Sequence, residues 1–332
     1  MSGGADDRCA ARLAGTANAN SSHLLICLCR SMLANHFNPS ITSAFNSRIP
    51  EQQPDASEPI TPWADKVRPW NPLHDDPEAL RHSRYLVPSR ERGLQRVSGS
   101  SRRCDPLDET IHQRVKAKIM GSDFPCVAAR SVMNRGTYRL GIYEMLGSAE
   151  AAVGLCHDLY EFDHEFRPGM HPFTSFIAVF RAPQLHDELD FERALWKQLQ
   201  LMHGVDARYH DWDGSVSKDP ESPNFSFSIG RRAFYVVGLH PCASRIARST
   251  ACESILVFNP HDQFENLRAT GKYGQLQEAI RARDMACQGS VNPMLHDFGQ
   301  LSEARQYSGR AVPAEWRCPF MHHHQQDTGF MA

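Results

Sequence analysis

The chain has 332 residues, a formal net charge of −2, 41% hydrophobic and 22% charged residues, 21 Gly, 21 Pro and ten Cys. That balance lacks the basic excess of a nucleic-acid binder, and the longest apolar run, Leu24 to Leu33, is interrupted by Arg30 and too short to span a bilayer. The expectation is a soluble, cytoplasmic protein with no nucleic-acid and no membrane partner, either two average domains or one larger one.

The cysteines are too sparse for a disulfide scaffold, and Cys27 and Cys29, one residue apart, suit neither a zinc knuckle nor a redox pair. Residues 1–103 carry stretches such as Glu51-Gln-Gln-Pro-Asp-Ala-Ser-Glu-Pro with no sustained period, and read as a largely disordered N-terminal extension. Within it, Trp63 and Trp70 read either as a solvated linker or as an extended arm on the domain that follows.

From Cys104 the pattern is that of a folded domain, running to Phe320. Asp105-Pro106 opens a helix as N-cap and first-turn proline, with Asp108 and Glu109 at its positive end and Gly121 at its close. Val127 to Met133 and Thr137 to Met145 read as strands around an Asn134-Arg135-Gly136 hairpin turn. Ser148 caps a helix to about Phe166, Phe173 to Phe180 forms a strand, and Glu188 to His203 forms a second amphipathic helix. Phe225 to Ser228, Ala233 to Leu239 and Ser254 to Phe258 read as further strands, followed by helices near Phe264–Arg268 and over Tyr273–Cys287. Hairpins with helices between strand pairs favour an α+β fold, a mainly antiparallel sheet with flanking helices. Residues 321–332 read as a mobile tail.

No glycine-rich phosphate loop, GxSxG or HExxH motif is present, so nucleotide, serine-hydrolase and zincin readings lose their main support. What remains is a scatter of polar residues. Cys126, after a proline at a strand entrance, is a buried thiol or a thiolate ligand. Glu161 and His164 share one helical face, as a metal ligand with a carboxylate partner or as a solvated helix end. His240-Pro241 and His261 stand at the ends of successive strands and approach each other if those strands pair. Gly289 to Gly299 and Glu303 to Arg310 form irregular segments of the kind that serve as functional loops. Cys318-Pro319 is a second haem-thiolate or packing candidate. Alone, these features describe an α+β domain with a polar pocket and name no reaction.

Several ordered blocks together resemble one family. Phe124-Pro-Cys-Val-Ala-Ala-Arg-Ser, Asn134-Arg-Gly-Thr-Tyr-Arg, Phe225 through His240-Pro, Asn259-Pro-His-Asp-Gln-Phe-Glu, Asn292-Pro-Met-Leu, Ser302-Glu-Ala-Arg-Gln-Tyr-Ser-Gly-Arg and Trp316-Arg-Cys-Pro-Phe are similar to the YqcI/YcgG family. The resemblance spans about Asp105 to Phe320. It implies a haem-dependent oxygenase that N-hydroxylates the guanidine group of L-arginine or an arginine-derived compound, on routes to specialised metabolites such as cycloserine and guanitoxin. The implied cofactor is haem b, with O2 as co-substrate and an external electron donor; the partner is a small guanidine-containing substrate. For the axial ligand the resemblance leaves Cys126, His164, His240, His261 and Cys318, with Cys126 and His164 first. A guanidinium calls for carboxylates, here Glu161, Asp262, Glu265 and Glu303. Arg130, Arg305 or Arg310 would hold a haem propionate or the substrate carboxylate. Two other readings stand beside it: a haem-binding sensor or carrier without turnover, and a non-haem metal oxygenase built on His240, His261 and a carboxylate.

Overall fold

The computed structural model describes residues 70–89, 93–97 and 104–323, all within one compact unit, Trp63–Ala332. The Leu24–Leu33 run, Cys27, Cys29 and Trp63 lie outside the described residues.

The expectation of disorder up to residue 103 is corrected for residues 70–89 and 93–97. Helix α1 (Pro77–His82) is capped by Asp76, whose Oδ1 accepts the Glu78 and Ala79 amides at 2.9 and 2.8 Å. Strands β1 (Leu86–Ser89) and β2 (Gly93–Arg96) then form an antiparallel hairpin that joins the main sheet through Leu86, opposite Leu140. Of the two readings of Trp70, a solvated linker or a docked arm, the structure shows the arm: its ring stacks on His164 with centroids 3.5 Å apart.

Helix α2 (Pro106–Met120) begins at its Asp105 cap and ends at Gly121, as its signals predict. The next segment differs. Val127–Arg135 is a helix, α3, and not the first strand of a hairpin. Cys126 is its N-cap, with Sγ accepting the Ala129 amide at 3.4 Å, and Gly136 ends it in the left-handed conformation, φ 69°. A glycine after a polar pair signals a hairpin turn and a helix C-cap alike, because both need positive φ.

Strand β3 (Tyr138–Met145), helix α4 (Ala149–Glu165) and strand β4 (Ser175–Ala182) form a βαβ unit with β3 and β4 parallel. Helix α5 (Glu188–Asp206) follows, then β5 (Phe227–Ile229), β6 (Arg232–Leu239), β7 (Ser254–Pro260), and helices α6 (Asp262–Ala269), α7 (Tyr273–Gln288) and α8 (Ala304–Tyr307). The seven strands run in the order β2-β1-β3-β4-β7-β6-β5, and every neighbouring pair except β3–β4 is antiparallel. The α+β architecture is therefore as expected.

Strand β4 is buried from Ser175 to Phe180, as its near-continuous apolar run requires of a central strand. Phe176, Ala178 and Phe180 join Phe234, Val236, Leu256 and Phe258 of the antiparallel strands in the core beneath α4 and α5. Each fully buried aromatic there contributes roughly 1.5–3 kcal/mol. Leu155, Leu159 and Phe162 of α4, and Phe191, Leu195 and Leu199 of α5, cover this core. The packing fixes the C-terminal ends of both helices, from which the polar residues described below emerge. Cys104, Cys126, Cys156, Cys287 and Cys318 carry free thiols, whereas Cys252 is held in a disulfide. No helix among the described residues is long and apolar enough to cross a membrane.

Candidate functional site

At its C-terminal end, helix α5 delivers His203 and Asp206, and the chain continues through His210, Trp212 and Asp213 to wall a cleft of about 820 Å³. The opposite wall is His322 and His323. These two residues were expected in a mobile tail, but the His323 amide donates to His203 Nε2 at 3.0 Å. Residues 324–332 lie outside the described set.

The acid–base character of the walls is set by burial. His203 is buried, and burial with His322 and His323 alongside holds its pKa down to about 4, so the ring stays neutral. Since Nε2 accepts the His323 amide, the ring proton sits on Nδ1. His210 packs edge-on to Tyr160, its Nε2 is buried with no hydrogen-bond partner, and burial lowers its pKa as well. Asp206 is shifted the other way. Burial pushes its carboxyl up to about 7, against the Gly230 amide (3.0 Å) and the Tyr160 hydroxyl (2.7 Å), which both donate to Oδ1. Oδ2 is left as the oxygen that carries the proton.

Asp211 and Asp213 complete an acidic wall, with Lys218 the one basic side chain among the lining residues. Asp213 Oδ2 accepts the Ala233 amide at 2.8 Å, tying the cleft to β6. Trp212 meets His203 and His322 edge-on at 5.5 and 5.4 Å. An acidic wall with an indole beside it suits a compact organic cation, and neutral imidazoles beside titratable carboxyls are a donor set for metal or proton chemistry.

The residues singled out in the sequence fall elsewhere. His261, Glu265 and Glu303 come together: His261 Nε2 is 3.2 Å from Glu265 and Nδ1 is 3.7 Å from Glu303, under the Phe298 ring. Burial pushes the Glu303 carboxyl up to about 8 and the His261 imidazole down. Asp262 faces Arg232 instead, at 2.8–3.0 Å, and Arg232 also holds Asp163 at 2.8 Å. His240 does not approach His261; β6 and β7 are antiparallel neighbours, so the residue after β6 and the residue after β7 lie at opposite ends of the pair. His240 is fully buried, stacked on Phe191 at 4.1 Å, with burial holding its pKa down to about 4.

Cys126 caps α3, and burial raises its thiol. Cys318 donates its amide to Glu221, and burial pushes its thiol up to about 12; both shifts oppose a thiolate. Glu161 accepts from Asn71 Nδ2 at 2.7 Å, and His164 lies under Trp70. The arginines hold the chain together: Arg130 donates to the Gly121 carbonyl, Arg305 to the carbonyls of Pro313, Ala314 and Trp316, and Arg310 to Glu192.

None of the cleft residues was singled out from the sequence. Their signal was the density of His, Asp and Trp between His203 and Asp213, directly after an amphipathic helix.

A model of the YqcI/YcgG family matches residues 115–321. The chain belongs to the YqcI/YcgG family. The matched region takes in the βαβ unit, the antiparallel strands and the cleft as far as Met321, while α1, β1 and β2 precede it. The chain is also similar to the Bacillus subtilis (strain 168) protein named "Uncharacterized protein YqcI", at 22% identity over 227 residues, 65% of this chain and 87% of that protein. No solved structure matches.

Proposed function

We propose that this YqcI/YcgG protein is a haem-dependent oxygenase that hydroxylates a guanidine nitrogen of L-arginine or a small arginine-derived compound. The observation that carries the reading is the pairing, in one cleft of about 820 Å³, of uncharged histidines with an acidic, Trp-bearing wall. That volume lies in the range of cofactor and ligand sites, roughly 300–1,000 Å³. His210 would hold the haem iron better than His203 would: its Nε2 is buried and unpartnered and burial lowers its pKa, whereas Nε2 of His203 is taken by a backbone amide.

When bound, haem would supply O2 activation with two electrons from an external donor. The net change inserts one oxygen atom into a guanidine N–H bond and releases the other as water, consuming two protons. Asp211 and Asp213 offer carboxylates to the guanidinium, and Trp212 an aromatic face. Asp206, titrating at about 7, holds a proton on Oδ2 at the cleft wall and is the group suited to deliver it.

The test is the absorption spectrum of full-length protein expressed with haem supply, before and after dithionite and CO, followed by incubation with arginine and a reductant. A stoichiometric Soret band that His210→Ala abolishes, with N-hydroxyguanidine formed by the native chain, is expected. No haem after reconstitution sinks the reading. Haem without arginine turnover points to the sensor or carrier reading.

A further inference from the structure

We infer that this chain carries a second, separate site for a divalent transition-metal ion, formed by His74, His157 and Glu161. One ligand atom from each residue lies within 4.8 Å of the other two. His157 sits inside α4 with 1% of its surface exposed, and its Nε2 has no hydrogen-bond partner. His74, on the turn before α1, likewise has a buried Nδ1 without a partner. Each of these two imidazoles therefore keeps a buried nitrogen unpaired, which is costly unless an ion takes its lone pair.

The surroundings of His157 are those of a metal ligand. Its Nδ1 lies 3.0 Å from Asp158 Oδ1, which orients the ring and fixes the tautomer with Nε2 bare. Asp158 is itself immobilised: Ser83 Oγ (2.5 Å), the Arg84 amide (2.6 Å) and the Tyr143 hydroxyl (2.7 Å) all donate to it. Glu161 stands one turn along from His157, on the same face of α4, and Asn71 Nδ2 donates to its Oε1 at 2.7 Å. Two imidazoles and one carboxylate suit Zn²⁺ or Fe²⁺ over Mg²⁺ or Ca²⁺, and leave at least one coordination position for water. Bonds of about 2.0–2.1 Å require the three ligand atoms to close by up to about 1.5 Å, within reach of side-chain rotation.

His74 lies outside the region that matches the family, which begins at residue 115, so the site joins the preceding segment to the family domain. A bound ion would clamp residues 70–84 onto α4.

The experiment uses full-length, haem-free protein stripped with a chelator and titrated with Co²⁺, followed by Zn²⁺ competition. The expected result is one equivalent of Co²⁺ with visible d–d bands, displaced by Zn²⁺, and slower proteolysis of the 70–84 segment when metal is present. His74→Ala and Glu161→Gln are each expected to weaken binding at least ~10-fold. Replacing His322, His323 and His324 together by Ala is expected to leave this equivalent in place. His74 is on a turn, so its replacement tests the site even if His157→Ala fails to fold. Co²⁺ binding that survives His74→Ala and Glu161→Gln unchanged, or that is lost with the three tail histidines, overturns the proposal, as does the absence of stoichiometric binding.

Discussion

His261 and Glu303 face each other across 3.7 Å with their titrations displaced in opposite directions, the imidazole lowered by burial and the carboxyl raised to about 8. Both groups are therefore uncharged near neutral pH, and the pair is held by packing under Phe298 and by the Tyr307 hydroxyl, 3.3 Å from Glu303, with no ion-pair attraction.

A carboxyl whose folded pKa lies above its unfolded value binds its proton more tightly in the native state. Its contribution to stability is then lost as pH rises from about 4.5 through about 8. Glu303→Gln removes that loss. The substitution is expected to change unfolding free energy little at about pH 5 and to raise it by a few kcal/mol at about pH 9, measured by urea denaturation at both pH values.

Under the proposed reaction, Asp206 is expected to set the pH dependence. With a carboxyl titrating at about 7, proton delivery from Oδ2 requires the acid form, so turnover is expected to fall as pH rises through that value. Asp206→Asn keeps an acceptor for Tyr160 and Gly230 but holds no transferable proton. The expectation is a kcat lower by about 10²–10⁴-fold, loss of the alkaline limb, and a KM for the guanidine substrate changed far less, read from steady-state kinetics across pH.

Arg232 ties its own strand to two helices with one guanidinium: Asp163 of α4 at 2.8 Å, the Phe166 carbonyl at the end of that helix at 2.7 Å, and Asp262 of α6 at 2.8 Å. Its side chain is 10% exposed. Arg232→Met leaves two neighbouring carboxylates without a counter-charge, one of them already raised by burial. A loss of about 3–5 kcal/mol is expected at neutral pH by chemical denaturation, diminishing as the medium is acidified and the carboxyls protonate.

Gly154 is where His82, at the end of α1, comes closest against the backbone of α4. A Cβ there would overlap the His82 carbonyl, so only glycine admits α1 at this distance. Gly154→Ala is expected to lift residues 77–84 while sparing the core beneath α4. Hydrogen exchange checks it: the Arg84 amide, now bonded to Asp158, exchanges faster, and amides of β4 do not.

Much of the fold could be read from local chemistry. The caps at Asp105 and Ser148, the glycine after α2 and the apolar periods of α4, α5, β4, β6 and β7 each act within a few residues, and each has its structural counterpart. Val127–Arg135 misleads because its Val, Ala and Met residues suit strand and helix alike, and Gly136 serves either ending. The parallel β3–β4 pairing is decided by how α4 crosses over, which no local signal states. The site was less legible for the same reason. His203 and His210 lie close in sequence, but His322 is more than a hundred residues on and joins them only because α5 ends where the C-terminal segment returns. His240 and His261 looked equivalent as strand-end histidines, yet antiparallel strands send such ends in opposite directions. Glu303 and His261 were both picked out by their chemistry; their proximity was supplied by the fold.

The β1–β2 hairpin lies before the family-matched region, yet it sits against β3, the strand that would otherwise border that side of the sheet. A chain begun at Cys104 would lose that pairing and open this edge of β3, Tyr138 to Met145, five of whose eight residues are buried. Such an edge is a template for pairing with a second copy. Strands β1 and β2 thus cap this side of the sheet, and shortening the protein to its family domain would hand that capping to whatever strand next meets β3.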